Sequence, residues 1–228
     1  MVCITGDVHG EYDRFLRNDI KSLKKNDSII ICGDFGFIWS GDKKEEQILQ
    51  KIGTRKHNTY FIDGVHENFE LLNSYPIVDF HGGKAQIISG KLVHLMRGEI
   101  YTFEGKTFLC FGGGTSPDKE LRQANQMWWE EETPTLSEME NATKNLKKYG
   151  NKVDYVLTFE TTSRLKKILS MNFDGSGGYD ITPLNTFFEH MRENITYDHW
   201  FFGCHHTDKN LTPYQTCVYN DMLILKTK

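Results

Sequence analysis

The sequence predicts an α/β fold, in which strands and helices alternate and helices cover the sheet. Residues 28–32, Ser-Ile-Ile-Ile-Cys, form a continuous and largely apolar run, which is typical of a strand covered on both faces. Strand and helix patterns alternate along residues 2–67, and the predicted strands end in polar residues beside glycines. Residues 84–111 then change to short alternating segments separated by glycine-containing turns, which favours antiparallel strands and a second sheet.

The first predicted strand, residues 2–5, leads directly into Gly6-Asp7-Val8-His9-Gly10. Side chains two residues apart on a strand point to the same face, so Asp7 and His9 can be aimed at one point. The flanking glycines allow the backbone to turn sharply there. A carboxylate and an imidazole placed in this way favour a metal site, although an Asp after a strand is more often the N-cap of a helix.

Two further units follow the same order of helix, strand and polar exit. The predicted elements are a helix at 11–24, a strand at 28–32 and an exit at 33–36, then a helix at 43–52, a strand at 59–62 and an exit at 63–67. Ligands of open α/β sheets bind outside the carboxyl ends of the strands. The chemistry of this chain is therefore expected on the loops at that edge.

The middle of the chain is predicted to be antiparallel, with strands at 85–88, 92–95, 100–103 and 107–111. The segment 112–134 that follows is either a flap over the site or a surface excursion. Thr135 and Glu138 form a capping-box pattern, which predicts a helix that runs to about Tyr149.

The last third of the chain returns to alternating strands and helices. A strand is predicted at 153–158, and Thr182 followed by Pro183 predicts a helix start whose helix ends near Asn194. The next predicted strand, 200–202, runs into Gly203-Cys204-His205-His206. The segments 216–218 and 222–225 are interpreted as a hairpin.

Length and composition narrow the class of protein. The 228 residues contain no linker rich in proline, glycine or serine, so a single domain over residues 1–228 is predicted. The net charge of -4 and the mixed charges argue against duplex nucleic acid as a partner. No stretch has the length of a membrane span, and the N-terminus lacks the pattern of a signal peptide. The 5 cysteines have no paired spacing, which favours reduced thiols in a cytoplasmic protein.

Five predicted strand exits carry polar motifs: Asp7-Val8-His9, Gly33-Asp34, Gly64-Val65-His66-Glu67, Leu157-Thr158-Phe159-Glu160 and Gly203-Cys204-His205-His206. Their order and spacing resemble those of the calcineurin-like metallophosphoesterases. Segments 33–39, 66–69 and 200–203 are similar to a bacterial and phage branch of that family. The resemblance covers essentially the whole chain, and it implies a four-layered α/β/β/α sandwich.

The resemblance also implies a metal site, because that family binds two metal ions side by side at these loops. Asp7 and His9 match the first motif and, together with His206, would bind the first ion. Asp34 would bridge both ions, and His66 matches the histidine that acts on the leaving group. Two carboxylates and two imidazoles suit Mn²⁺, Fe or Zn²⁺ better than Mg²⁺ or Ca²⁺. One divalent transition metal per chain is therefore expected.

The second metal site departs from the family pattern at three positions. Val65, Phe159 and Cys204 stand where the family has Asn, His and His. We interpret Cys204 as a small buried hydrophobe rather than a ligand, while Glu160 and His205 are one residue out of register as replacements. These replacements predict a second ion that is weakly bound or absent. Loss of one cation removes about 3 kcal/mol of transition-state stabilisation, which lowers the rate roughly a hundredfold.

These patterns predict a metal-dependent phosphoesterase of reduced activity that hydrolyses phosphate mono- or diesters. The alternative is a catalytically inactive pseudo-phosphoesterase that binds a phosphate ester, a nucleotide or a protein partner in the same cleft. Arg97 and Arg122 are candidates for bidentate phosphate binding, although a salt bridge is the commoner use of such arginines. Substrate specificity is expected to come from segments 112–134 and 170–178.

Overall fold

The structure is a computed structural model that describes residues 1–116, 118–125, 127–171 and 180–225. Its strands are, in chain order, β1 (Val2–Thr5), β2 (Ser28–Cys32), β3 (Asn58–Ile62), β4 (Ile77–Phe80), β5 (Gly83–Ser89), β6 (Leu92–Leu95), β7 (Glu99–Phe103), β8 (Lys106–Phe111), β9 (Tyr155–Thr158), β10 (His199–Phe202), β11 (Lys209–Thr212), β12 (Gln215–Cys217) and β13 (Leu223–Ile224). The helices are α1 (Asn18–Ser22), α2 (Lys43–Gly53), α3 (Phe69–Ser74), α4 (Lys119–Ala124), α5 (Leu136–Lys148), α6 (Ser163–Met171) and α7 (Pro183–Asn194).

The strands form two mixed sheets. In the first sheet the order is β13-β1-β2-β3-β6-β5-β4, and β1, β2, β3 and β6 are parallel. In the second sheet the order is β11-β12-β10-β9-β8-β7, and β12, β10, β9 and β8 are parallel. Each sheet therefore has a parallel centre, and antiparallel strands lie at its edges.

Apolar side chains fill three layers of core. The middle layer joins the two sheets, with residues such as Ile30 and Ile62 of the first packed with Leu157 of the second. The outer face of the first sheet packs against α1, α2 and α3. The outer face of the second sheet packs against α5, α6 and α7. The layers are therefore helix, sheet, sheet and helix, which confirms the predicted α/β/β/α sandwich.

Local signals located most of the elements correctly. Helix α5 begins at the capping box of Thr135 and Glu138, and α7 begins at the cap of Thr182 with Pro183 in its first turn. The helix predicted at 11–24 is instead a 3-10 turn, Tyr12–Leu16, followed by the short α1. Strands β4 and β11 and helices α3, α4 and α6 were not predicted.

Two predictions of strand pairing were wrong. Residues 84–111 do not belong to one sheet, because β5 and β6 lie in the first sheet and β7 and β8 in the second. The hairpin predicted at 216–218 and 222–225 does not form either. Strand β12 pairs with β11 in the second sheet, whereas β13 pairs with β1 in the first. The sequence of a short apolar strand does not indicate which of the two sheets the strand joins.

None of the helices in the described part of the chain combines the length and the apolar character needed to span a membrane. Most of the predicted specificity segment 170–178 lies outside the described residues.

His57, which directly precedes β3, carries a prediction about acid stability. Its side chain is 1% exposed, and neither ring nitrogen has a hydrogen-bond partner among the described residues. Burial, together with the positive charges of Arg55 and Lys56, lowers the pKa of His57 to about 4. Protonation therefore favours the unfolded chain, whose histidine has its usual pKa of about 6.5.

The free energy of unfolding of the wild type should consequently fall as the pH drops from about 6.5 towards about 4, by roughly 2 kcal/mol from this group. His57→Leu should remove that part of the pH dependence. Urea unfolding at neutral and acidic pH measures it, and His190→Leu on the exposed side of α7 is the matched control. Equal acid sensitivity of the wild type and His57→Leu would contradict this account.

Candidate metal centre

Four side chains from three strand exits meet at the edge between the two sheets. Donor atoms of Asp7, His9, Asp34 and His206 all lie within 4.8 Å of one another. His206 Nε2 is 2.9 Å from His9 Nε2 and 3.3 Å from Asp7 Oδ2, and His9 Nε2 is 3.9 Å from Asp34 Oδ2. Ligands about 2.1 Å from one tetrahedral ion are about 3.4 Å apart, so these spacings fit a shared divalent ion.

The backbone at this edge is bent into conformations that side chains rarely adopt. His9, Asp34, Cys204 and His206 have φ of 50°, 40°, 68° and 45°. A residue other than glycine in this left-handed region costs of order 1 kcal/mol, and such strain persists where the surrounding structure enforces it. Four strained residues at one edge indicate that the fold maintains this arrangement of donors.

Hydrogen bonds tie the exit loops of β1, β2 and β3 together. The N–H groups of Val8 and His9 donate to the carbonyl of Asp34 at 3.0 and 2.8 Å. Asp34 Oδ1 in turn accepts from the N–H groups of Val65 and His66 at 2.7 and 3.0 Å. Gly64 permits this approach, because a Cβ there would lie 2.0 Å from Asp34 Oδ1.

Glu67 connects the exit loops of β2 and β3 through hydrogen bonds, and the sequence analysis assigned it no role. Its fully buried carboxylate accepts hydrogen bonds from the N–H groups of Phe35 and Gly36, both at 2.8 Å, and from Gly64 at 3.4 Å. One side chain therefore fixes the turn after Asp34 and the start of the loop that carries His66. Its position directly after His66 was the available signal.

The first site concentrates negative charge away from water. Asp7 is 0% exposed, and burial raises the pKa of Asp7 to about 6 in spite of its hydrogen bond with His206. Burial also acts to raise the pKa of Asp34, but the hydrogen bond and charge of His66 lower it overall. Burial lowers the pKa of His9, which favours the neutral imidazole that binds metals. Two buried carboxylates with neutral imidazole nearby are a suitable environment for a cation.

His66 lies beside this centre and is half-exposed. Its Nδ1 is 2.8 Å from Asp34 Oδ2, and its ring stands edge-on to that of His9 with centroids 5.2 Å apart. The hydrogen bond with Asp34 raises the pKa of His66, although burial opposes the shift. A protonated, oriented imidazole beside a cation site is suited to general-acid chemistry.

Apolar side chains occupy the positions at which the sequence departs from the family pattern. Val65 is 3% exposed and Phe159 is 2% exposed, and both belong to the core layer between the sheets. The ring of Phe159 lies so close to Gly33 that a Cβ there would be 2.0 Å from Phe159 Cδ2. The N–H of Cys204 donates to the Asp7 carboxylate at 3.1 Å. Cys204, Glu160 and His205 form a second group of donor atoms within 4.8 Å of one another.

The structure gives Arg97 and Arg122 roles other than the predicted phosphate binding. Arg97 is buried, and its Nε and Nη2 donate to Asp63 Oδ2 at 2.9 and 2.6 Å. Arg122 is also buried and donates to Glu132 Oε1 at 2.5 Å and to Ser116 Oγ at 2.9 Å. Both guanidinium groups are held by internal partners.

Arg97 ties the segment 112–134, in its described residues 112–116, 118–125 and 127–134, to the rest of the protein, and Arg122 connects parts of that segment to one another. Arg97 also donates to the carbonyl of Glu131 at 2.7 Å, and Gly113 and Gly114 donate to the carbonyls of Asp63 and Glu132. The charges of Arg122, which lowers the pKa of His66, and of Asp118, which raises it, act on that histidine from this segment.

Arg14 supports the loop of Asp7, and the sequence contained no signal for it. Its guanidinium donates to the carbonyls of Asp7 and Tyr219, at 3.3 and 2.7 Å, and to Asn220 Oδ1 at 2.7 Å. The ring of Tyr219 packs on His206 with centroids 5.0 Å apart. The segment after β12 therefore supports two of the candidate ligands.

A family model for calcineurin-like phosphoesterases matches residues 1–203 of the chain. The chain therefore belongs to the calcineurin-like phosphoesterase family, whose members are metal-dependent phosphoesterases. Among solved structures, the chain is similar to the phosphopantetheinyl hydrolase PptH from Mycobacterium tuberculosis, with 11% sequence identity and a TM-score of 0.39. That similarity covers 96% of this chain and 89% of that chain. No curated protein matches the sequence.

Proposed function

We propose that this protein, a single domain over residues 1–228, hydrolyses a phosphate mono- or diester with one tightly held divalent ion. The observation that carries the proposal is the convergence of Asp7, His9, Asp34 and His206, whose donor atoms lie within 4.8 Å of one another. Two imidazoles with two carboxylates favour Mn²⁺, Fe or Zn²⁺ over Mg²⁺ and Ca²⁺. All five cysteines are free thiols, which is consistent with the cytoplasmic location favoured by the sequence.

Asp34 and His66 have separate roles beside that ion. When bound, the ion supplies Lewis-acid polarisation of a phosphoryl oxygen and lowers the pKa of water. Asp34 orients the His66 imidazole through the 2.8 Å contact with Nδ1 and favours its protonated form. His66 then gives a proton to the departing oxygen of the ester. The described residues of the segment 112–134 are proposed to contribute to the choice of ester.

A second ion would bind weakly or not at all at the family's second position. Val65 and Phe159 supply no donor atom, and their side chains are packed in the core between the sheets. Without the second cation, the transition state loses about 3 kcal/mol of electrostatic stabilisation, which lowers the rate roughly a hundredfold. The proposed enzyme is accordingly slow compared with a two-metal relative.

The apolar filling of that position also favours a second candidate function. A pseudo-phosphoesterase would keep one ion and the cleft, and would bind a phosphate ester, a nucleotide or a protein partner without hydrolysis. The buried Phe159 ring, 2% exposed, is the observation in favour of this alternative.

Hydrolysis by protein loaded with Mn²⁺ distinguishes the two candidates. The wild type should hydrolyse 4-nitrophenyl phosphate or bis(4-nitrophenyl) phosphate, and phenyl phosphate as a poorer leaving group. His66→Ala should lower turnover by about 10²–10⁴-fold on phenyl phosphate and less on the 4-nitrophenyl ester, which needs less protonation. Metal content per chain should not change. His190→Ala on the protein surface is the matched control.

Wild-type protein that binds Mn²⁺ and is stabilised against heat by a phosphate ester, without hydrolysing any of these esters, would support the binding module instead. Equal losses of His66→Ala on good and poor leaving groups would contradict the role of His66 as the acid.

A further inference from the structure

A second cluster of metal-binding side chains lies beside the first centre. Glu160 follows β9, and Cys204 and His205 follow β10. One donor atom of each lies within 4.8 Å of the other two. Glu160 is 2% exposed and His205 is 7% exposed, so the cluster is enclosed by protein. The proposed hydrolysis uses none of these three side chains.

The two oxygens of Glu160 have different surroundings. Oε2 accepts hydrogen bonds from Lys166 Nζ and from Asn185 Nδ2, the latter at 2.9 Å. Oε1 accepts a long bond of 3.3 Å from the N–H of Thr161. It also faces His205 Nε2 at 3.7 Å. Lys166 and Asn185 thus orient the carboxylate and leave Oε1 directed at the cluster.

The spacing between Oε1 and His205 Nε2 is compatible with a shared ion. The 3.7 Å separation is longer than a hydrogen bond and close to the distance between two ligands of one ion. Two ligands of one tetrahedral zinc ion are about 3.4 Å apart, so a small adjustment brings both onto a common ion. Cys204 adds a sulfur donor from a backbone with φ of 68°, a strained conformation for a residue other than glycine.

The donor set defines the class of ion. Thiolate, imidazole and carboxylate together select Zn²⁺ or a similar soft divalent ion, such as Co²⁺, over Mg²⁺ and Ca²⁺. Lys166 already compensates the charge of Glu160. The thiolate therefore supplies the additional negative charge that the ion requires, and the proton of the thiol is released to solvent when the ion binds.

We propose that Glu160, Cys204 and His205 form a second, thiolate-containing metal site for zinc or a similar soft divalent ion. This site shares the Cys204 position with the family's second site, but it uses neither Asp34 nor the side chains at 65 and 159. It replaces the interpretation of Cys204 as a buried hydrophobe, which was made from the sequence. The inference goes beyond the proposed function, since ion binding here requires no phosphate ester and no turnover.

Titration of the chelator-treated full chain with Co²⁺ tests the site through its sulfur ligand. Binding should produce the intense near-ultraviolet absorption of thiolate-to-cobalt charge transfer, with the amplitude of one thiolate-bound Co²⁺ per chain, while the first centre takes up Co²⁺ without such a band. Cys204→Ser should abolish this band, whereas Cys110→Ala, which removes a buried thiol from β8, should retain it. Glu160→Gln keeps the thiol, so the band should persist while the affinity for Co²⁺ falls at least about tenfold.

His9→Ala separates this site from the first centre. It removes a ligand of the first ion and should leave the charge-transfer band unchanged, so failure of the catalytic proposal does not affect the result. The inference is overturned if the wild type shows no charge-transfer band, if the band survives Cys204→Ser, or if Glu160→Gln binds Co²⁺ as tightly as the wild type.

Discussion

Asp34→Asn should lower kcat/KM for phosphate esters by at least about a thousandfold, which is the largest loss expected from a single substitution in this protein. Asparagine has almost the same shape, and its carbonyl oxygen can still accept from the N–H groups of Val65 and His66. The substitution removes the negative charge, and with it a ligand of the proposed ion. It also removes the carboxylate that raises the pKa of His66.

Two measurements separate these contributions. Elemental analysis should show less metal bound per chain in Asp34→Asn at limiting Mn²⁺. The pH profile should show the alkaline limb of any residual activity shifted to lower pH, because His66 acts in its protonated form and no longer has the charged partner that raises its pKa. Asp79→Asn is the matched control, since Asp79 lies on edge strand β4 and pairs only with the exposed Lys84. Activity within about threefold of wild type would argue against any metal role for Asp34.

The largest expected gain comes from rebuilding the family's second metal position. The triple variant Val65→Asn, Phe159→His and Cys204→His should bind a second Mn²⁺ per chain and raise turnover about a hundredfold or more. The added ion contributes a second positive charge next to the reacting phosphate. Replacement of Phe159 also opens space beside Gly33, where its ring now packs. Three buried polar groups without a metal are costly, so the free energy of unfolding should rise on addition of Mn²⁺.

A control without donor atoms distinguishes the effect of the ligands from the effect of the space opened. The variant Val65→Ala, Phe159→Ala and Cys204→Ala opens the position without adding donor atoms, and it should gain neither the second ion nor activity. A similar rise in both variants would mean that access to the cleft limits the wild type. No second ion in the ligand variant would contradict our account of why the wild type is slow.

Local sequence was sufficient for much of the fold. The apolar runs of β1, β2 and β3 and the capping boxes of α5 and α7 depend on residues within a few positions of one another. The four-layered sandwich followed from the resemblance to the calcineurin-like family, since it depends on how distant elements pack. The short strands β4 and β11 have no periodic signal strong enough to be recognised.

For the candidate site too, the sequence predicted some features and only the structure showed others. The sequence selected Asp7, His9, Asp34 and His206 together, and the structure brings their donor atoms within 4.8 Å. For Arg97 and Arg122 it left phosphate binding and a salt bridge open, because an arginine near a glycine-rich loop gives no indication of its partner. The structure pairs them with Asp63 and Glu132, the commoner of the two uses.

The sequence by itself determined which chemical groups stand at the ends of the strands, because strand and exit motif are contiguous in the chain. Only the tertiary structure decided which of those groups meet and what holds them. Arg14 reaches Asn220 across 206 residues of sequence, and Glu67 binds the loop of Phe35 across 32. Such contacts depend on the packing of the two sheets, and no local periodicity encodes them.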